Sequence, residues 1–307
     1  AASRKTAQQN FSSFNMVAIG VDVGGTKCLA VALNNEGSVL DSLTLPTATG
    51  VGVVEEVAEL CLALASRVGQ AATSLGVGMP GTVSRDGVVY LAPHLPEVRQ
   101  LPMRALLTSQ LGIPVVVDND ATCAGVAEWK NGAARNCDNA LVITIGTGIG
   151  AALIANGKVM RGHHGFAGES GHHIVMHGGE ECPCGRRGCW EQYASGSALR
   201  RMANGVSGEE VLLRVVQEDT EAQRVLEEFA NWVALGLFNL VNTLDPQVIV
   251  LGGGLGSSAV LRHFVADALT QQMPPSELRP PPLLVTAQLG PEAGAIGAAL
   301  LGKEVIE

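Results

Sequence analysis

The sequence contains an internal repeat. Residues 21–26 (VDVGGT) align with residues 143–148 (ITIGTG), and at the same offset Asn34 aligns with Asn156. Each copy consists of an apolar run typical of a strand, a turn of small residues, a second apolar run and a turn that contains asparagine. Two related halves predict two similar sheets, and a phosphate-sized turn in each half predicts a ligand cleft between them.

The turn in the first copy has the composition of an anion site. It consists of Gly24, Gly25, Thr26 and Lys27. The glycines expose backbone amides, the threonine adds a hydroxyl, and Asp22 stands where a carboxylate can hold Mg²⁺ through water. An ordinary hairpin turn is the alternative for this motif taken alone. The related turn of the second copy, which consists of Gly146, Thr147 and Gly148, favours phosphate binding.

Residues 146–151 also match the dinucleotide-binding pattern G-x-G-x-x-A, and Glu169 follows at about the 20-residue spacing of that fingerprint. A dinucleotide site requires a helix directly after the turn. Here the sequence continues as an apolar run and then as Asn156–Gly157, which favours a two-residue β-hairpin. We therefore predict a strand after the turn and exclude a dinucleotide site.

A cluster of cysteines predicts a metal site in the second half. Cys182, Cys184 and Cys189 follow His172, and three thiolates with one imidazole complete a tetrahedral shell for Zn²⁺. A closed shell of this kind is structural, so we expect the metal to brace the loop of residues 172–189. The seven cysteines fit a reducing compartment better than a disulfide framework.

Two carboxylates flank the predicted zinc loop. Glu169 lies three residues before His172, and Glu191 lies two residues after Cys189. Ordered carboxylates beside an imidazole whose second nitrogen is free suit a ligand with many hydroxyl groups, such as a sugar. The alternative is a zinc knuckle that only braces a loop, with both glutamates solvated.

A further acidic motif follows the predicted strand of residues 113–117, where the chain reads Asp118, Asn119 and Asp120. A carboxylate at the carboxyl end of a buried strand points into the ligand crevice of an α/β sheet. One of the three residues is expected to cap the helix that begins near Ala121. Three polar residues exceed the needs of a cap, which favours a role in the site.

The rest of the chain alternates strand and helix patterns, as in an α/β protein. Strands are predicted at 16–23, 28–33, 38–45, 75–79, 113–117, 248–251 and 283–287, and helices at 53–68, 101–111, 121–129, 196–216, 221–244, 259–272 and 293–301. Glycines after two of these strands, at Gly81 and at Gly252–Gly254, allow the backbone to approach a ligand.

The composition narrows the class of protein. A chain of 307 residues allows one large domain or two ordinary ones, and residues 1–15 are expected to be a disordered tail. The net charge of −9 argues against nucleic-acid or anionic-membrane surfaces. We expect a cytoplasmic protein, because the sequence has no apolar run long enough for a membrane span and no signal pattern.

Together these motifs resemble the ROK sugar kinases, a family within the actin-like ATPase superfamily. The resemblance rests on Asp22-x-Gly-Gly-Thr-Lys, Asn119–Asp120, Gly146–Thr147–Gly148, Glu169-x-x-His172 and the cysteine cluster, in this order, from about residue 17 to residue 302. The run of residues 188–196 (GCWEQYASG) is especially similar to bacterial ROK glucokinases of the actinobacterial kind.

The resemblance implies a two-domain actin-like ATPase (ribonuclease H-like) fold of the α/β class, with duplicated mixed sheets and an interdomain cleft. It implies a small N-terminal domain of residues 16–118, which the C-terminal helix of residues 292–307 can join. The large domain would comprise residues 119–291 and carry the zinc loop. A homodimer is also expected.

The resemblance further implies an ATP-dependent hexokinase, with glucose as substrate, Mg²⁺ beside the ATP phosphates and structural Zn²⁺. Asp120 would be the general base that takes the proton of the sugar 6-hydroxyl. The other sugar-binding residues would be Gly81, His94, Asn119, Glu169, His172 and Glu191. Nucleotide and magnesium would be held by Asp22, Gly24, Gly25, Thr26, Lys27, Gly146, Thr147, Gly148, Gly253 and Gly254.

One departure leaves the sugar open, because many glucokinases of the family carry Asn where this chain has His94. N-acetylmannosamine, N-acetylglucosamine and fructose are alternative substrates, and polyphosphate is an alternative phosphate donor. A sugar-sensing ROK regulator is a remote alternative. We expect no DNA-binding domain, since about 15 residues precede the first predicted strand. A non-catalytic sugar-binding protein is disfavoured by Asp120 beside two phosphate turns.

Overall fold

The computed structural model describes residues 16–50, 52–93, 95–273 and 280–306. The predicted tail of residues 1–15 and the sugar-site candidate His94 lie outside these ranges. Within them the chain forms three sheets, two of which have five strands each.

The first sheet has the strand order β3-β2-β1-β4-β8. Its strands are β1 (Met16–Val23), β2 (Lys27–Leu33), β3 (Val39–Pro46), β4 (Ala71–Met79) and β8 (Val115–Asn119). A small antiparallel sheet inserted before β8 consists of β5 (Thr82–Val83), β6 (Val89–Leu91) and β7 (Arg99–Leu101). The residues of β1 and β4 are buried in nearly continuous runs, because these strands lie in the middle of the first sheet and are covered on both faces.

The second sheet repeats this order as β11-β10-β9-β12-β13. Its strands are β9 (Ala140–Ile145), β10 (Ile149–Ala155), β11 (Lys158–Val159), β12 (Val248–Gly252) and β13 (Leu283–Thr286). In both sheets the first three strands in sequence are antiparallel and the last two join in parallel. The two similar halves predicted from the repeat and the duplicated mixed sheets implied by the family resemblance are therefore confirmed.

Ten α-helices cover the sheets in the described part of the chain. They are α1 (Gly52–Arg67), α2 (Met103–Leu111), α3 (Asp120–Lys130), α4 (Glu191–Ala194), α5 (Gly196–Met202), α6 (Gly208–Val216), α7 (Thr220–Leu244), α8 (Gly253–Gly256), α9 (Ala259–Gln272) and α10 (Ala293–Glu304). Short 3-10 helices lie at Ser170–His172 and Gly290–Glu292. Each of these helices is too short or too polar to cross a bilayer.

In each half, the helix that follows the last strand packs on the sheet of the other half. Helix α3 follows β8 of the first sheet but packs on β9 and β10 of the second, and α10 follows β13 but packs on β1, β2 and β4 of the first. The two helices also pack on each other. Glycines allow the close approach, because a Cβ on Gly20 or Gly76 would collide with carbonyl groups of α10.

The two largest hydrophobic cores of the described residues are separate from each other. One lies between the first sheet and helices α1 and α2, where Val57, Leu60 and Leu64 of α1 are fully buried. The other lies between the second sheet and helices α7 and α9, and its largest buried side chains are Trp190 and Phe229. The cleft expected between the halves therefore lies where α3 and α10 separate the two cores.

One prediction about secondary structure needs correction. The helix predicted at 196–216 is two helices, α5 and α6, because Asn204 and Gly205 adopt left-handed conformations with φ of 54° and 94°. Gly253, one of the glycines expected to let the backbone approach a ligand, begins the short helix α8. By contrast, the hairpin predicted at Asn156–Gly157 is confirmed, since both residues have positive φ and join β10 to β11.

Candidate active site

A cavity of about 450 Å³ lies between the two halves. Of the predicted site residues, those in its wall are Asp22, Gly81, Asn119, Asp120, Gly146, Thr147, Gly148, Glu169, His172, Glu191 and Gly253. The sequence motifs of both halves thus meet in one space. A volume of this size accommodates a small ligand.

Asn119 and Asp120 enter the cavity from the junction of β8 and α3. Asn119 is the helix cap, since its Oδ1 accepts a hydrogen bond from Thr122 N at 3.0 Å. Its Nδ2 donates to the Gly81 carbonyl at 3.0 Å, which ties the cap to the turn after β4. Asp120 Oδ1 accepts from Ala121 N at 2.8 Å. Because Asn119 serves as the cap, the Asp120 carboxylate is not required for that role.

Asp22 reaches the cavity from the end of β1. Burial raises the pKa of its carboxyl to about 7, the nearby Asp120 carboxylate acts in the same direction, and Lys27 opposes them. Its carboxylate lies against the first turn of α10, where a Cβ on Gly294 would collide with it. A buried carboxylate beside a second one is a site that a cation would stabilise.

The two glycine turns differ in their relation to the cavity. Gly146, Thr147 and Gly148 of the second half line it. In the first half Gly24, Gly25, Thr26 and Lys27 are not in the wall, and the last three are exposed to solvent. Gly254 is likewise exposed and outside the wall. The structure therefore brings only one of the two predicted phosphate turns directly to the cavity.

Two further carboxylates, Glu169 and Glu191, reach the cavity from the second half. Glu191 Oε2 accepts a hydrogen bond from Ile149 N at 2.9 Å, so this glutamate is bound to the strand that follows the glycine turn. Burial raises the pKa of Glu169, His172 lowers it, and the carboxylates of Asp120 and Glu191 raise it further. Three carboxylates thus face the same space, which suits a ligand that donates several hydrogen bonds.

The four predicted zinc ligands form one cluster. The ligand atoms of His172, Cys182, Cys184 and Cys189 lie within 4.8 Å of one another. Cys182 Sγ is 3.7 Å from His172 Nδ1, and Cys184 Sγ is 3.6 Å from Cys189 Sγ. Tetrahedral zinc at about 2.3 Å from each sulfur places two thiolates roughly 3.8 Å apart. The two measured distances are close to this value, so the cluster is compatible with a zinc ion.

The histidine of this cluster also faces the cavity. Its Nδ1 is directed at the cysteines, while its Nε2 lies 3.9 Å from Glu169 Oε2. The other end of the cluster is anchored by Trp190, which is fully buried and donates its Nε1–H to the Trp232 carbonyl at 2.8 Å. The residue after Trp190 is Glu191. The zinc loop thus connects two cavity residues to the core of the second half.

Sequence reasoning missed Glu128, which also lines the cavity. Its carboxylate is buried and accepts hydrogen bonds from Ala133 N at 2.8 Å, Gln288 N at 2.9 Å and Leu289 N at 2.8 Å. It therefore clamps the segment before α10 to helix α3. The sequence signal for this role was that Glu128 is a single glutamate among the apolar residues of the predicted helix at 121–129.

Comparison with known proteins agrees with the family resemblance of the sequence motifs. The sequence model of the ROK family matches residues 18–305. The glucokinase of Streptomyces coelicolor is 35% identical over 311 residues, which cover 93% of this chain and 97% of that protein.

Solved structures are similar over the same length. A ROK family glucokinase from Streptomyces griseus, in complex with glucose and AMPPNP, superposes with a TM-score of 0.83 at 32% identity and covers 94% of this chain and 99% of its own. The ROK hexokinase from Thermus thermophilus has a TM-score of 0.84 at 34% identity, with coverages of 95% and 99%.

Proposed function

Since this chain belongs to the ROK family, we propose that it is an ATP-dependent glucokinase, which transfers the γ-phosphate of ATP to the 6-hydroxyl of glucose. The observation that carries the proposal is the shared cavity. It brings the strand-end Asp120, the sugar-side pair Glu169 and Glu191, and the Gly146–Gly148 turn together between the two halves of an actin-like fold. The glucokinase relatives and the bound glucose and AMPPNP of the Streptomyces griseus enzyme support the same reading.

Asp120 is the proposed general base. Its carboxylate lies in the cavity at the start of α3, while the neighbouring Asn119 supplies the cap. In the reaction it would accept the proton of the sugar 6-hydroxyl as that oxygen attacks the γ-phosphorus, and ADP would leave. Phosphoryl transfer depends mainly on positioning and charge neutralisation, so one well-placed carboxylate is a sufficient base.

The remaining sugar hydroxyls would be held by Asn119, Glu169, His172 and Glu191. Carboxylates accept hydroxyl hydrogen bonds, and the second N–H of the Asn119 amide can donate. The Gly81 carbonyl already accepts from Asn119, so it would fix the orientation of that amide. His94 is proposed at the sugar site from the family resemblance alone.

The nucleotide phosphates would lie along the second-half turn of Gly146, Thr147 and Gly148, with Gly253 and Gly254 near the adenosine. Mg²⁺, when bound with ATP, would neutralise phosphate charge, and Asp22 would hold it through water. Gly24, Gly25, Thr26 and Lys27 are proposed to meet the phosphates when the cleft closes on ATP, since they stand outside the cavity wall.

A structural Zn²⁺ is proposed at His172, Cys182, Cys184 and Cys189, whose geometry fits it. The ion would fix the ring of His172 and the loop that ends at Glu191. It would take no part in the reaction, because the four ligands leave no open coordination position.

We also propose the division into a small domain of residues 16–118, joined by the helix of residues 292–307, and a large domain of residues 119–291. The packing of α10 on the first sheet supports it. The seven cysteines, three of them in the proposed metal cluster, support a reducing, cytoplasmic compartment, and the net charge of −9 argues against nucleic-acid binding. A homodimer is proposed from the family resemblance alone.

The test is a coupled assay of ADP release with ATP and a panel of hexoses. We expect glucose to give the highest kcat/KM, and polyphosphate to be a poor donor. A higher kcat/KM with N-acetylmannosamine, N-acetylglucosamine or fructose would replace glucose as the substrate. Sugar binding without ADP release from any hexose would favour the regulator alternative.

A further inference from the structure

An ion pair joins the two halves on the side of β8 that faces away from the active-site cavity. Asp118 and Asn119 are consecutive in a strand, so their side chains lie on opposite faces of the first sheet. Asn119 lines the active-site cavity, whereas Asp118 lines a separate cavity of about 380 Å³. There Arg161 of the second half donates its Nε–H to Asp118 Oδ2 at 2.7 Å.

Burial distinguishes this pair from the surface pairs of the molecule. The Asp118 side chain is 9% exposed and that of Arg161 is 28% exposed. The pair formed by Arg67 and Asp41 has a similar distance of 2.9 Å, but its side chains are 50% and 30% exposed. Exposed pairs are screened by water and contribute little, whereas a buried carboxylate that loses its partner is strongly disfavoured.

The loop that begins at Arg161, residues 161–168, is fastened to the first half by additional contacts. Arg85, in the hairpin between β5 and β6, donates its backbone N–H to the His164 carbonyl at 3.1 Å. It also donates its Nε–H to the Gly162 carbonyl at 2.8 Å. The loop therefore spans from the second sheet to the first.

An aromatic pair strengthens the same connection, since the rings of Tyr90 and Phe166 meet edge to face at 5.7 Å. Directly after this loop the chain continues to Glu169 and His172, which line the active-site cavity. The loop is thus attached at one end to the strand that presents Asn119, and it leads at the other end to the carboxylate on the opposite side of the cavity.

We propose that Arg161 is a positioning residue: by holding Asp118 it fixes the end of β8, and with it Asn119 and Asp120, relative to Glu169. Arg161 does not line the active-site cavity, and it acts through the strand and loop that it joins. This inference rests on the proposed glucokinase function, because it assigns those side chains to the sugar.

The test compares Arg161→Met with Arg67→Met, which breaks the exposed pair. For Arg161→Met we expect the KM for glucose to rise about tenfold, the size of one lost hydrogen bond to a charged group, while the KM for ATP changes less than about twofold. Hydrogen exchange should accelerate at the amides of residues 119–122 and 161–172. The Arg67→Met variant should match the wild type in each measurement.

Two further variants separate positioning from stability. Arg161→Lys keeps a charge beside Asp118 and should restore most of the glucose affinity. The double variant Asp118→Asn with Arg161→Met removes the unpaired charge, so its Tm should recover while the KM for glucose remains raised. A double variant that recovers both, or an Arg161→Met protein with unchanged glucose KM, would overturn the proposal.

The same variants and measurements distinguish a failure of this proposal from a failure of the proposed function. A wild-type protein without glucose-dependent ADP release refutes the glucokinase assignment. Hydrogen exchange then decides on Arg161 by itself: faster exchange at residues 119–122 in Arg161→Met supports the connection between the halves, and unchanged exchange refutes it.

Discussion

The two five-stranded sheets have the same strand order, yet the residues at the ends of their central strands differ in kind. Asp22 lies near the end of β1, and at the equivalent position of β9 the chain has Thr144. The following turn is exposed to solvent in the first half and lines the cavity in the second. The two halves thus share one strand order, and different residues at equivalent positions give the two strand ends different chemistry.

This difference places different groups on the two sides of the cavity near the proposed phosphates. Asp22, at the end of β1, lies close enough to Asp120 for the Asp120 carboxylate to raise the pKa of Asp22. On the other side lies the uncharged turn of two glycines and a threonine, with the Glu191 carboxylate bound to the strand that follows it. The paired carboxylates suit a metal ion, and the backbone groups of the turn suit phosphate anions bound beside it.

Removing the proposed base, Asp120, should have the largest effect. We expect Asp120→Asn to lower turnover by about 10²- to 10⁴-fold, because a general base contributes on that scale. Glucose binding should remain measurable by calorimetry, since the other sugar-side residues are intact. Near-normal turnover would remove Asp120 from its proposed role and leave the first half without a base.

Breaking the metal cluster tests the contribution of the second half. We expect Cys184→Ser to lose zinc and at least about tenfold in activity together, because the loop that carries His172 and leads to Glu191 loses its brace. Metal content and ADP release would be measured on the same preparation. Cys137→Ser, outside the cluster, is the matched control. A metal-free variant with full activity would show that the cluster is dispensable.

The difference between the two central strands can be tested by placing the residue of β9 at the equivalent position of β1. Asp22→Thr gives the first strand the residue found at position 144, and we expect kcat/KM to fall about tenfold or more at low Mg²⁺. High Mg²⁺ should not restore it fully. Activity equal to the wild type across a magnesium titration would mean that the two strand ends are interchangeable.

The same substitution should change the pH dependence of stability. Burial raises the pKa of Asp22 from 3.8 to about 7, so between these values the folded chain binds a proton that the unfolded chain does not. The contribution of Asp22 to the free energy of unfolding therefore falls as pH rises through this window. Relative to the wild type, the free energy of unfolding of Asp22→Thr should rise by on the order of 4 kcal/mol between pH 4 and pH 8.

Urea unfolding at several pH values, without added magnesium, measures this difference. Asp41→Asn, which alters a half-buried carboxylate outside the cavity, serves as the control. A constant difference between Asp22→Thr and the wild type across the pH range would show that the carboxyl titrates normally.

The smallest effect is expected within the second-half turn. A Cβ on Gly148 would collide with the Glu191 carboxylate, whereas a Cβ on Gly146 has open space around it. We expect Gly148→Ala to raise the KM for glucose about threefold through displaced Glu191, and Gly146→Ala to leave that value unchanged. Equal glucose KM values for the two variants would show that Glu191 is not coupled to the turn.

Much of the architecture was predictable because it is encoded locally. The alignment of residues 21–26 with 143–148 predicted the two matching sheets, and Asn156–Gly157 predicted the hairpin that excludes a dinucleotide site. The cysteine spacing predicted the four-residue cluster. Each of these signals lies in a short stretch of sequence.

The errors and omissions concern contacts between distant residues or breaks inside a continuous pattern. Asn204–Gly205 repeats the Asn–Gly turn signal of residues 156–157, but the apolar residues on both sides of it favoured one continuous helix over 196–216. The pairing of Asp118 with Arg161 joins residues far apart in sequence, and neither residue type indicates its partner. The exposed position of residues 24–27 likewise depends on how the two halves pack.

The exchange of helices between the halves has a consequence for synthesis on the ribosome. The face of the first sheet that α10 covers includes β1 and β4, which are made long before residues 293–304 emerge. During translation this apolar face therefore stays uncovered, and accessible to chaperones and other nascent chains, until the second sheet has been synthesised. The docking of α10 on this face is a late event between residues far apart in sequence. The first sheet therefore completes its native packing only when the last helix docks.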